Sequence, residues 1–329
     1  MSDDHWFDAS PLTEKPPKPS DREGSAKHRF RETWGGGSLK DRLDAVRTAD
    51  VKGMAADWWS DAVSAGKAVE RFAEANGLSY RWQKYDREWI PGEAPPGMIF
   101  RGGERREMLS WGDPVSVEFG NWSSMGQELV LAFGYIAVRH DLGLPHLIAD
   151  SRVNDATPPP GSGFYAKKRD YTSLSENYRG SDSASPLGRI RNSIEPLDLG
   201  PENDAYFQAY CDRGRAAEAR AFLAPEILRM LLAASMEFDV EVTDGWIYLY
   251  AGAIEISTED PDRWAWVFSV ASRLWDHVES WRAAEGRAPA AEAPPFYTEL
   301  VVPRPADLAQ LPKPSPGWQA FWELGDPHM

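Results

Sequence analysis

The stretch from Phe238 to Tyr250, Phe-Asp-Val-Glu-Val-Thr-Asp-Gly-Trp-Ile-Tyr-Leu-Tyr, constrains the fold more than any other part of this chain. Two alternating runs flank Asp244-Gly245, the dipeptide that most readily takes the left-handed angles of a two-residue hairpin turn. That turn pairs Thr243 with Trp246, Val242 with Ile247, Glu241 with Tyr248, Val240 with Leu249 and Asp239 with Tyr250. One face of the hairpin is then aliphatic, carrying Val240, Val242, Ile247 and Leu249. The other sets Trp246, Tyr248 and Tyr250 beside Asp239, Glu241 and Thr243. This second face is too aromatic for bare water and too acidic for a dry core, so something must partly cover it.

A chain of 329 residues with 42 % hydrophobic content can bury a substantial core. The formal net charge of −15, from 36 basic and 51 acidic residues, repels nucleic-acid phosphates and anionic lipid, so no nucleic-acid partner is expected. Cys211 is the single cysteine, which excludes an intrachain disulfide and fits a reducing cytoplasm. The N-terminus has no basic start followed by an apolar run, and no run of about 18 apolar residues occurs, so neither secretion nor membrane insertion is expected. The 15 tryptophans supply either large buried area or adhesive contact surface.

Residues 1–37 are rich in Pro, Lys, Asp, Glu and Gly, a composition expected to form a disordered tail. From Ser38 to Ala75, apolar residues recur at three- and four-residue steps, which predicts a long N-terminal helix or two shorter ones joined near Gly53 or Gly66. Strands follow at Leu78 to Tyr85, Met108 to Trp111, Val115 to Phe119 and Leu129 to Val138. The last of these is apolar on both faces and suits a central position. Pro145 to Ala149 adds another candidate strand before the Pro-, Gly- and Ser-rich stretch 151–188, a lid or a disordered loop. Ile194 to Leu199, confined to an edge by Pro196, and Tyr206 to Cys211 complete that group. Helices are predicted over Arg215 to Phe222, Glu226 to Ser235 and Pro261 to Arg282, the last with an apolar stripe from Trp264 to Trp281 that can cover the aliphatic hairpin face. A short strand is expected at Tyr297 to Val302, inside a Pro-rich extension (284–329) whose Trp318, Phe321 and Trp322 sit at helical spacing.

The blocks Leu144-Pro145-His146, Asp150, Asn154, Phe238-Asp239-Val240-Glu241-Val242 and Trp246-Ile247-Tyr248-Leu249-Tyr250 give residues 77–281 a pattern that resembles an uncharacterised family of actinobacterial proteins. Some members carry membrane segments ahead of this region, and this chain departs from them there. The family has no assigned activity, so the resemblance implies a shared fold and supplies no catalytic residues.

Three groups of residues could carry chemistry. His140-Asp141 with His146 and Asp150 is the densest set of acid–base or metal-ligating types. The plainer alternative puts His146 at a strand start and His140-Asp141 in a turn. Arg101, Arg105 and Arg106 around Gly102-Gly103 could grip a carboxylate or phosphate, though a solvated hairpin turn accounts for them equally. Cys211 would need a neighbouring base to act as a nucleophile, and a small buried thiol is the simpler account. The nucleophile-elbow, zinc-metalloprotease and P-loop patterns are absent from the sequence.

Together these features predict an α+β fold: a mainly antiparallel sheet of about six to eight strands packed against several helices. A single domain is expected over 38–283, between the tail and the Pro-rich extension. The expected role is a non-catalytic cytoplasmic interaction or assembly protein, binding a protein partner or a second copy through Trp246, Tyr248, Tyr250, Trp318, Phe321 and Trp322. The alternative is a hydrolase or metal-dependent enzyme using His146, Asp150 and His140 beneath the 151–188 segment. No cofactor and no resident metal are expected.

Overall fold

The computed structural model describes residues 6–13, 66–85, 104–125, 130–151, 193–201, 203, 207–223, 238–251, 255–290 and 292–302. Among these residues nine antiparallel strands form one sheet. They are β1 (Ser79–Tyr85), β2 (Glu104–Trp111), β3 (Val117–Met125), β4 (Val130–Arg139), β5 (Leu147–Ser151), β6 (Ile194–Leu197), β7 (Phe207–Asp212), β8 (Asp239–Thr243) and β9 (Trp246–Ala251). Their spatial order is β1-β2-β3-β4-β9-β8-β5-β7-β6. Among the described residues four helices accompany them: α1 (Ser10–Thr13), α2 over residues 66–75, α3 (Ala216–Phe222) and α4 (Pro261–Ala284).

The β8–β9 hairpin pairs in the register that its alternation dictates, from Thr243 opposite Trp246 to Asp239 opposite Tyr250. Its turn takes φ +50° at Asp244 and +78° at Gly245, the two positive angles a type I′ turn requires. The hairpin sits at the middle of the sheet, because β9 pairs with β4 and β8 pairs with β5. β4 is interior, as its two apolar faces predict, and β6, with Pro196, is an edge.

The aliphatic face lies against α4. Trp264, Val267, Phe268, Ala271, Leu274 and Val278 join Val240, Val242, Ile247, Leu249, Ile136 and Phe119 in one buried cluster. α4 begins at Asp260, whose side chain accepts from the Asp262 amide at 3.0 Å, with Pro261 in the first turn. Phe72 of α2 stacks on Phe268 and lies 5.1 Å from the Trp264 ring, which ties α2 to the same cluster.

Several expectations are corrected. The described chain is mainly β with a few helices, so the α+β description with a long N-terminal helix is too helical. Of the predicted 38–75 helix, only 66–75 falls among the described residues. Part of the expected N-terminal tail is packed: Phe7 and Leu12 are buried in the core and the Trp6 indole donates to the Phe296 carbonyl at 3.0 Å. Two adjacent aromatic rings bury enough surface to fix that short segment despite its polar surroundings. Residues 297–302 form no strand. Their amides bond to side chains of α4 instead, Thr298 to Ser272 and Val302 to Ser269, so this segment runs along the helix and not in the sheet. The predicted 226–235 helix lies outside the described residues. No helix among the described residues is long and apolar enough to cross a membrane.

Candidate functional site

Opposite α4, the second face of the sheet collects polar and aromatic side chains in two adjacent rows set by strand register. One row runs Glu118, Ala137, Tyr248, Glu241, Ile148 and Tyr210 across β3, β4, β9, β8, β5 and β7. The next runs Gly120, Tyr135, Tyr250 and Asp239. A tyrosine in one row reaches a carboxylate in the other along the diagonal between strands, a span that aromatic side chains can bridge. The Tyr135 hydroxyl thus donates to Glu118 at 2.7 Å and the Tyr250 hydroxyl to Glu241 at 2.6 Å.

Each carboxylate has a second partner. Arg105 of β2 donates through Nη1 to Glu118 Oε1 at 2.8 Å, with the two side chains only 1 % and 7 % exposed. His146, just before β5, places Nε2 3.3 Å from Glu241 Oε1. The His146 main-chain amide donates to Asp212 at 2.9 Å, so the residue is held at both ends. Burial raises the Tyr135 and Tyr248 phenols well above their ordinary value, with Glu118 adding at Tyr135 and Glu241 then Glu118 adding at Tyr248. Both remain hydroxyl donors at neutral pH.

Glycine at position 120 makes this arrangement possible. A Cβ there would fall 2.8 to 2.9 Å from the Tyr135 hydroxyl and ring carbons, displacing the ring from Glu118. Down β9 the rings stack in sequence, Trp246 on Tyr248 at 6.4 Å and Tyr248 on Tyr250 at 5.8 Å, the latter nearly parallel at 3°. The apolar members of this second cluster all come from strands or, for Val115, the turn before β3, and no described helix contributes to it.

The sequence candidates fare unevenly. Trp246, Tyr248 and Tyr250 are 4 %, 1 % and 2 % exposed, so the face expected to meet a partner is buried. Trp318, Phe321, Trp322 and Arg101 lie outside the described residues. Arg105 and Arg106 sit within β2 and not in a turn, and successive strand residues point to opposite faces. Arg105 joins Glu118 while Arg106 stands opposite Asn121 on the other side, so these two guanidinium groups do not converge on one anion.

His140 is buried at the end of β4, its Nδ1 accepting from the Leu142 amide at 3.3 Å, and burial pushes its pKa down to about 4, keeping it neutral. Asp141 pairs with Arg282 at 2.8 Å and so tethers the turn to α4. Asp150 lies within β5 opposite Gln208. No group of three or more His, Cys, Asp or Glu among the described residues could hold a metal ion. Cys211 is buried, and burial together with Glu195 and Asp212 raises its thiol pKa.

Sequence reasoning missed Glu118, Glu241 and Tyr135 as site residues. For Glu241 a signal existed: the hairpin alternation sets it beside Tyr248 and Tyr250 on the aromatic face.

Comparisons with protein-family models, with curated proteins and with solved structures find no match to this chain.

Proposed function

We propose that this chain is a non-catalytic interaction or assembly protein that binds another protein or a second copy of itself. One observation carries the reading: the face richest in reactive groups spends them on one another. Arg105 and Tyr135 hold Glu118, and His146 and Tyr250 hold Glu241. Mutually satisfied groups of this kind fix strand register and rigidify a platform. The excess of acidic over basic residues favours a partner with a basic surface.

Native mass spectrometry of the full chain isolated from its own cells, paired with light scattering of the purified chain, tests the proposal. It expects a complex of defined stoichiometry or a stable homo-oligomer. A monomer in both measurements overturns it.

A second reading, a hydrolase centred on His146, is favoured by one specific contact. The His146 ring is 14 % exposed and rests on a carboxylate that is 1 % exposed and itself held by Tyr250. A buried carboxylate orienting an imidazole is the geometry of a general base. The His146→Ala variant separates the readings: loss of turnover on ester, amide or phosphoester substrates with binding intact supports the hydrolase, and unchanged binding without any turnover in the parent chain supports the interaction protein.

A further inference from the structure

On the core side of β2 and β3 lies a second polar cluster that the platform does not use. β2 is bulged between Arg106 and Leu109, and Glu107, inside the bulge, takes φ +48°. A glutamate in this left-handed region is strained, and such outliers persist only where surrounding contacts enforce them. The enforcing group is Asn121 of β3. Its Nδ2 donates to Glu107 Oε2 at 3.1 Å and to the Ser257 carbonyl at 2.8 Å. Its Oδ1 accepts from the amides of Ile256 and Ser257 at 2.9 and 3.1 Å. One buried amide therefore clamps both the bulge and the segment 255–257 that leads into α4.

The segment comes close because β4 carries Gly134 beneath it. A Cβ at that position would lie 2.5 Å from Ile256 Cγ2. Just beyond, the Trp264 indole donates to the Thr258 carbonyl at 2.8 Å and Arg263 Nη1 to the Glu255 carbonyl at 2.7 Å. The segment thus couples the sheet to the first turn of α4.

The charges around Glu107 are mostly of its own sign. Glu255 and Glu259 approach from the segment, Arg106 is the neighbouring cation on β2, and Arg263 of α4 lies nearer Glu255. Tyr80 of β1 also faces it, with Glu70 of α2 close behind. An ionised Glu107, partly withdrawn from water, would have one neutral amide as a donor and two like charges nearby. Burial first and Glu255 next accordingly raise its pKa to about 8, so Glu107 holds its proton at neutral pH. Tyr80 is raised above its ordinary value, chiefly by burial, and does not titrate in this range.

We propose that the Glu107–Asn121–Ser257 clasp is a proton-controlled latch on the segment leading into α4, closed while Glu107 carries its proton and loosened as it ionises. In the open state Glu107 regains water and its ordinary carboxylate value. Opening is therefore coupled to loss of one proton across the interval between the open and closed values, and is independent of pH above the closed value.

Hydrogen exchange of the full chain, read by mass spectrometry between pH 6 and pH 9.5 and corrected for the intrinsic exchange rate, tests the latch. In the parent chain, opening of the 255–260 amides should rise by up to tenfold per pH unit to about pH 8 and level off above it. Glu107→Gln, which keeps an acceptor for Asn121 and cannot ionise, should hold the segment closed with no such rise. Peptides from the middle of α4 should show neither effect. Parent and Glu107→Gln profiles that superimpose at every pH overturn the proposal, as does a rise that spreads equally through α4 and β4.

Discussion

Replacing Arg105 with Met tests whether the second face is held by its charges or only by its rings. Arg105 and Glu118 are both nearly inaccessible, so loss of the guanidinium leaves a buried carboxylate without its cation. Breaking such a pair costs about 3–5 kcal/mol, and because Tyr135 still donates to Glu118 at 2.7 Å the lower end is expected here, about 3 kcal/mol. Adding Glu118→Leu removes the stranded charge but deprives the Tyr135 hydroxyl of its acceptor, which costs about 1–3 kcal/mol for a buried donor. Adding Tyr135→Phe as well removes that donor, and the triple variant should return to within about 1 kcal/mol of the parent chain. Urea melts followed by tryptophan fluorescence measure each step, with an unchanged m-value confirming that only stability has moved. If Arg105→Met costs less than about 1 kcal/mol, or the triple variant is no more stable than the single one, then the charges do not organise this face.

Three further outcomes are expected. Glu107, at about 8 in the fold against an ordinary 4.5, keeps its proton where the unfolded chain has lost it, so stability falls as pH rises from about 4.5 to about 8 and is constant beyond. Glu107→Gln removes that loss and should be more stable than the parent by about 2 kcal/mol at pH 7.5, roughly half the linkage ceiling because the side chain is only half-buried; urea melts across the pH range check the sign. Gly120→Ala drives a methyl into Tyr135 and should cost about 1–3 kcal/mol, and its cost should overlap that of Tyr135→Phe in a double-mutant cycle because both variants break the same hydrogen bond. Asp260→Ala removes the cap of α4 and should cost about 1 kcal/mol in thermal or urea unfolding.

The parts of the fold legible in the sequence are those written by short-range rules. Asp244-Gly245 and the alternation around it set the hairpin register, Pro196 kept β6 at an edge, and Asp260-Pro261 marked the start of α4. The site was less legible because its pairs are far apart along the chain: Arg105 meets Glu118 only through the β2–β3 register, and His146 meets Glu241 only because β5 docks beside β8. Periodicity identifies the face on which a residue stands, and says nothing about which strand will stand next to it. The bulge at Glu107 was illegible for a related reason. No glycine marks it, and its left-handed angle is enforced by Asn121 and the 255–257 segment, which are remote in sequence.

The central hairpin poses its functional question through burial. The aromatic face of the sheet carries carboxylates that would cost several kcal/mol each if buried alone, and the strands meet that cost by setting a tyrosine diagonal to Glu118 and to Glu241. A face built to satisfy its own charges has little left to offer a partner, so recognition by an interaction protein of this design belongs on surfaces other than Trp246, Tyr248 and Tyr250. The latch at Glu107 lies on the opposite side of the sheet and joins it to the N-terminus of α4. With the proposed latch, the sheet carries mutually bonded charges on one face and a protonation-sensitive clasp on the other. If α4 or the segment before it contacts a partner, partner affinity should depend on pH in the parent chain and lose that dependence in Glu107→Gln.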